Sequence, residues 1–276
     1  MRPQKEMTRP KHCLEKCEVI RLVIFLCENG FDGILSGVFD VYASRLEITE
    51  CRLEMEAEYE PILFAEYRNS SMETWKAARV TAKIKSFMSE NAYVCLYRAS
   101  LHKSPDRADW ILRFISAGLK YGRKIMHMLQ EPSVYQIFQM DRYVGNEAHF
   151  LREFARFERL PSGIYYGKVG PENQVLELVA AHFADRFPDM NWILYDEIHH
   201  TAAVHAENGN WLIRQQVTNE EVEKLTANRE KDVYIDMWKT FFHTIAIEER
   251  KNPKCQRTML PLRYRKYMTE FQKEDI

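Results

Sequence analysis

Apolar residues recur along the chain with two different periods, and the switches between them outline the predicted elements. Residues 19–27 (VIRLVIFLC) are a nearly continuous apolar run rich in β-branched side chains, which predicts a buried strand closed at Asn29-Gly30. Ile34, Leu35, Val38, Phe39 and Tyr42 then fall on one helical face over residues 31–44, predicting a helix that covers this strand. The stretch 45–60 carries Glu47, Glu50, Glu54, Glu56, Glu58 and Glu60 and predicts a solvated linker or an exposed helix face. Pro61 precedes a predicted strand at 62–67. Ser70 with Glu73 has the spacing of a capping box, opening a helix that runs through Trp75, Ala78, Ala82 and Phe87 to about residue 88. A further helix is predicted over 91–100.

Ser104 as N-cap and Pro105 at the first helical position predict a long helix through Trp110, Leu112, Ile115 and Leu119, in which Gly118 and Gly122 permit close approach of a neighbouring helix or a ligand. Another helical region follows over 134–158, with Gly145 as its candidate break. Beyond Pro161-Ser162-Gly163 the period shortens. Strands are predicted at 164–169, 192–196, 201–206 and 211–215, with a helix at 175–187 and a hairpin across Asn208-Gly209. Residues 219–229 read as a polar helix or loop. In the last helix, Trp238, Phe241, Phe242 and Ile245 have the three-and-four spacing of a buried face. These elements predict an α+β fold that is rich in helix, with a small antiparallel sheet in the C-terminal half and a short strand pair near the N-terminus. The division is an N-terminal α/β portion, 18–104, and a helical and α+β portion, 105–276, or one continuous domain.

Composition narrows the function classes. Charge is nearly balanced, with 39 Lys and Arg against 40 Asp and Glu and a net charge of -1, so a polyanion partner would require segregated cations. The six cysteines are spread out and suit reduced thiols; Cys13 and Cys17 lack the third cysteine of a cluster spacing. The apolar run at 19–27 is shorter than the ~20 residues a membrane span needs. The N-terminal segment, which reads as a polar arm over 1–17, offers no secretory cleavage site. The expectation is a cytoplasmic protein with no membrane association. No glycine-rich phosphate loop of either common type is present, which removes the sequence basis for nucleotide hydrolysis or dinucleotide chemistry, and no cofactor is expected.

Three segments concentrate positive charge. Arg113, Lys120 and Arg123 follow helical spacing with Lys124 beside them, and Arg152, Arg156 and Arg159 repeat that spacing after His149. From Arg250 to Lys266 there are seven basic residues (Arg250, Lys251, Lys254, Arg257, Arg263, Arg265 and Lys266) and no acidic one, interleaved with Tyr264 and Tyr267. Cations and aromatics in this arrangement fit nucleic acid, DNA or RNA, through phosphate contacts and base stacking. The alternative is that each segment is a solvated helix face, with the tyrosines packing inward. Candidate acid-base groups are fewer. His182 and Asp185 lie three apart on one predicted helix, as a base and its orienter would. Glu248 and Glu249 sit at a helix C-terminus, where carboxylates oppose the macrodipole and call for pairing with a cation. His199-His200 with Asp196 and Glu197 is the densest cluster of metal-ligating types, but no third ligand accompanies it and no metal site is expected.

Several long phrases carry a wider resemblance: FDGILSGVFDVYASR, ILRFISAGLKYGRK, VGNEAHFLREFARF, HFADRFPDMNWILYDE and MWKTFFHTIAIEERKNPKCQRTMLPLRYRKYM. Over residues 21–270 the chain resembles a bacterial DNA-metabolism protein family of unknown function. Its members occur alone beside a radical SAM protein, or fused to a uracil-DNA glycosylase-like domain. The resemblance implies a role in DNA repair or modification, with a radical SAM protein as partner, and no defined reaction. Asn146 stands where the family pattern tends to have a basic residue, which weakens a phosphate contact at that point. Three function classes follow: a nucleic-acid-binding accessory protein, an enzyme acting on nucleic acid by acid-base chemistry, and an interaction module with a basic docking face.

Overall fold

A computed structural model describes residues 22–227 and 232–272. The predicted arm at 1–17 and the start of the first apolar run lie outside the described residues. Strand β1 (Val23–Cys27) is buried along its whole length because it is the middle strand of a three-stranded sheet. The helix after it, α1 (Phe31–Ala43), turns the chain back to β2 (Cys51–Met55), which pairs with β1 in parallel. On the other side β3 (Glu66–Ser70) also runs parallel to β1. The expected strand pair is therefore a parallel triplet. Its extra member lies in the glutamate-rich stretch that predicted a linker. There Cys51, Leu53 and Met55 alternate inward, and Glu54 is held by Arg52 at 2.9 Å.

Further departures are local. The strand predicted at 62–67 forms at Glu66–Ser70 instead. Ser70 consequently belongs to β3 and hydrogen-bonds Asp40 rather than capping α2 (Thr74–Phe87), whose N-cap Glu73 makes no side-chain cap bond. Next come α3 (Glu90–Ser100), capped by Ser89 as its sequence allows, and α4 (Arg107–Tyr121), which begins a few residues after Ser104. Met88 fills the space beside Gly118, so that glycine admits a side chain rather than a second backbone. Helix α5 (Pro132–Phe154) passes through Gly145 unbroken, and an added Cβ there would meet nothing within 4 Å. Its first half belongs to the core built from β1, β2 and α1 to α4, and its second half to the next core.

The second sheet has five strands in chain order: β4 (Phe157–Arg159), β5 (Tyr165–Val169), β6 (Trp192–Asp196), β7 (Thr201–His205) and β8 (Trp211–Arg214). It is mixed rather than antiparallel throughout. The crossover helix α6 (Leu176–Arg186) makes β5 and β6 parallel, while the other neighbours are antiparallel. One face packs on α5 and α6; on the other, Val217, Val222 and Leu225 pack around α7 (Asn219–Thr226), which Thr218 and Glu221 close with a capping box.

Then follow α8 (Val233–Thr244), a 3-10 turn at Glu248–Arg250, α9 (Pro253–Met259), α10 (Leu262–Arg265) and a second 3-10 turn at Thr269–Phe271. The face predicted to be buried on α8 is mostly outward. Trp238 is 39% exposed, Phe241 53% and Ile245 56%, and α8 contributes no buried residue. Phe242 does pack, edge-on to Phe271 at 5.5 Å between ring centroids. Among the described residues, no helix is long and apolar enough to cross a membrane.

Candidate nucleic-acid interface

The three cationic segments meet different fates. In the first, Arg113 is taken up by Asp109 at 2.7 Å within α4. Gly122 (φ 61°) ends that helix, so Arg123 and Lys124 stand on a 3-10 turn rather than continuing the stripe of Lys120. All three of these cations are exposed.

The second stripe is broken at the C-terminus of α5. Arg152 donates to the Leu178 carbonyl oxygen at 3.0 Å, which ties α5 to α6. Arg156 lies beyond the helix and pairs with the buried Glu270 at 2.8 Å, its guanidinium 5.7 Å from the Trp238 ring centre. Burial pushes the Glu270 carboxyl up, but hydrogen bonds led by Arg156 bring it below the usual range. Arg159 sits on edge strand β4, and His149 pairs with Glu153 at 3.1 Å.

The third segment divides. Arg263 reaches inward to Glu147 at 3.1 Å and to Glu172 at 2.5 Å. Glu147 is 2% exposed and also accepts from the backbone N–H groups of Glu172 (2.9 Å) and Asn173 (2.8 Å) and from the Asn173 amide (2.6 Å). Arg265 lies over the Phe271 ring at 4.9 Å, and Lys266 binds Glu197 at 2.6 Å. Tyr264 is buried among Phe150 and Phe154, and Tyr267 donates to Glu197, so both tyrosines pack and neither is free to stack on a base. Arg250, Lys254 and Arg257 remain exposed on the 3-10 turn and α9.

These outward cations follow directly on an aromatic face. Tyr234, Met237, Trp238, Phe241 and Ile245 recur at three and four residues along α8, with Trp238 and Phe241 in contact at 5.9 Å between centroids. Residues 233–259 thus present aromatic rings and then cations on one solvent-facing arm. The spacing of Trp238, Phe241 and Ile245 predicted a core face, because helical spacing reports that a face exists and not what covers it.

The acid-base candidates do not form a joint site. His182 is partly buried on α6 and its titration is lowered by burial and by the neighbouring Arg152 and Arg186, but no hydrogen bond joins it to the exposed Asp185. Glu248 and Glu249 are exposed on the 3-10 turn, where Glu248 pairs with Lys251 at 3.2 Å. The better-built pair lies elsewhere. Asp196 is 1% exposed and accepts from His199 Nδ1 at 2.6 Å, and from the backbone N–H groups of Ile198 and His199 at 2.9 and 3.2 Å. Hydrogen bonding to Asp196 raises the His199 titration above its ordinary value. Among the described residues, no three His, Cys, Asp or Glu side chains are grouped to hold a metal.

No curated protein matches the chain at a significant level. A solved structure titled as a DHH domain of a member of the s1p family of ribosomal proteins is 12% identical, covering 69% of this chain and 74% of that one at a TM-score of 0.25, too low to inform fold or function. A family model described as a domain of unknown function, DUF4130, matches residues 105–270, and with more than half its length matched the chain belongs to that family.

Proposed function

We propose that the protein is a nucleic-acid-binding accessory factor in DNA repair or modification, acting with a radical SAM partner, and that the arm from α8 to α9 is its binding surface. The observation that carries this is the exposed row of Tyr234, Trp238 and Phe241 leading into the exposed Arg250, Lys254 and Arg257, which pair with no carboxylate among the described residues. Aromatic faces stack on bases of any sequence while cations follow the phosphates, a combination that fits single strands better than a paired duplex. The family resemblance supplies the DNA setting and the radical SAM partner.

Fluorescence anisotropy with labelled single-stranded DNA, duplex DNA and RNA across a range of salt concentrations tests it. Wild type should favour single strands. A triple variant, Arg250→Ala with Lys254→Ala and Arg257→Ala, should flatten the salt dependence by about 2, at ~0.7 per phosphate contact on a single strand. Trp238→Ala with Phe241→Ala should weaken binding at every salt concentration, by about 1–3 kcal/mol for each stacked base lost. No binding at the lowest salt, or binding that neither variant changes, would sink the proposal. If nuclease-treated lysate yields the radical SAM protein on the wild-type arm and nucleic acid binds nowhere, the arm is a protein-docking face instead.

A further inference from the structure

A cavity of about 530 Å³ opens between the turn after β1 and the second sheet. Asn29 reaches it from the turn after β1, Asp196 and His199 from the end of β6 and the turn beyond, and Leu176 and Glu177 from the start of α6. It therefore lies beyond the carboxyl ends of strands from both parallel pairings, the place where open α/β sheets receive ligands. Its volume is in the range of small-molecule sites.

The lining selects a ligand class. Three primary amides, Asn29, Gln174 and Gln215, each offer a donor and an acceptor. Leu101, Leu176 and Ile213 supply apolar wall. Among the described residues no lysine or arginine lines the cavity, and the carboxylates of Glu177 and Asp196 do, so a phosphate or other anion would be repelled. What fits is a neutral, flat ring with hydrogen-bonding edges, since amide side chains match the paired donor and acceptor atoms of a base edge. The histidine is built for a defined role. With Asp196 holding Nδ1–H, the neutral ring presents Nε2 as an acceptor, and among the described residues Nε2 has no partner.

We propose that this cavity binds a single unstacked nucleobase or nucleoside, with the amides reading its edge and His199 Nε2 accepting one of its N–H or O–H groups. The ligand class rests on the nucleic-acid reading together with this lining, and the test separates the two. Calorimetric titration of the full chain with the four ribonucleosides and four deoxyribonucleosides, alongside ribose and inorganic phosphate, should show at least one nucleoside binding and neither control. Gln174→Leu with Gln215→Leu, at two exposed positions, should weaken that binding at least tenfold with an unchanged melting temperature; His199→Phe should weaken it likewise, with a lowered melting temperature because Asp196 loses its partner. Trp238→Ala with Phe241→Ala should leave it intact. Nucleoside binding without polynucleotide binding would uphold the cavity and sink the arm. Failure of every nucleoside to bind, while single-stranded DNA does bind, overturns the cavity proposal alone. Equal binding of ribose or phosphate, or indifference to the cavity variants, overturns it as well.

Discussion

Glu147 should be one of the most costly side chains in this protein to remove, although it touches no candidate functional surface. Its carboxylate, 2% exposed on α5, accepts three hydrogen bonds, from two backbone N–H groups of the loop before α6 and from the Asn173 amide, and forms an ion pair with Arg263. Glu147→Ala leaves the Asn173 N–H and amide buried without their acceptor, at about 1–3 kcal/mol each, while Arg263 keeps Glu172 as its partner. Together these amount to about 2–6 kcal/mol, against which the better helix propensity of alanine offsets ~0.5 kcal/mol. The net expectation is a loss of about 3–4 kcal/mol, a large share of the ~5–15 kcal/mol that holds a typical domain folded. At ~2–4 °C per kcal/mol for a chain of this size, the melting temperature should fall by roughly 6–16 °C. Urea unfolding followed by circular dichroism gives the free energy, and calorimetry the melting temperature. Glu147→Gln keeps one acceptor oxygen and should fall between the two. Arg263 is 39% exposed at its side chain, so Arg263→Ala should cost far less, and the double variant should lose less than the sum. An alanine variant within ~1 kcal/mol of wild type would refute the clamp.

Gly33→Ala should destabilise, although alanine in an exposed helix interior usually gains ~1 kcal/mol over glycine, because the new Cβ would run into the Glu28 carbonyl; an unchanged or higher melting temperature would contradict this. Burial pushes Glu197 up, but hydrogen bonds from Lys168, Lys266 and Tyr267 overcome it and hold the carboxyl at about 2, below its ordinary 4.5. Its stabilisation is therefore complete above pH 4.5 and lost as pH falls toward 2, so the stability gap between wild type and Glu197→Gln should narrow over that window in acid titrations. His199 has the opposite sign: its raised titration stabilises fully below pH 6.5 and the gain fades as pH rises through the folded value, so wild type should exceed His199→Asn most in mild acid. Burial pushes the Cys27 and Cys95 thiols up to about 12, whereas Cys255 is exposed. In a Cys13→Ser, Cys17→Ser background, a thiol reagent at mild pH should label Cys255 promptly and Cys27, Cys51 and Cys95 only on unfolding.

Elements were legible in the sequence where a single period coincided with burial. The apolar run ending at Cys27 became β1, buried on both faces, and residues 192–196 became β6 with the predicted bounds. Strand β2 was hidden because its flanks are acidic. Cys51, Leu53 and Met55 do alternate, but over five residues this signal is weaker than the surrounding glutamates, and its burial depends on a sheet partner far away in sequence. The Ser70 and Glu73 spacing misled for a related reason: pairing with β1 claims Ser70 before α2 can use it. Tertiary pairing overrides local caps when the two compete for one residue.

The same limit decides how the cations divide. Positive charge is visible in a sequence, but the carboxylate that neutralises it is not. Glu147 lies 116 residues before Arg263, and Glu270 lies 114 residues after Arg156. Neither distance leaves any periodic trace. Arg156, Arg263 and Lys266 are tied to acids, while Arg152 and Arg265 are held by a backbone carbonyl and a ring. What remains outward is Lys120, Arg123 and Lys124 at the end of α4, Arg159 on β4, and Arg250, Lys254 and Arg257 on the arm. The arm is the more informative group because exposed aromatics accompany it. Leaving rings such as Tyr234 and Phe241 in water forgoes the burial that would stabilise them by ~1.5–3 kcal/mol each. That forgone burial is what binding could recover. An apolar partner would recover it without needing the cations, and a bare phosphate chain would use the cations without covering the rings. A strand with accessible bases uses both.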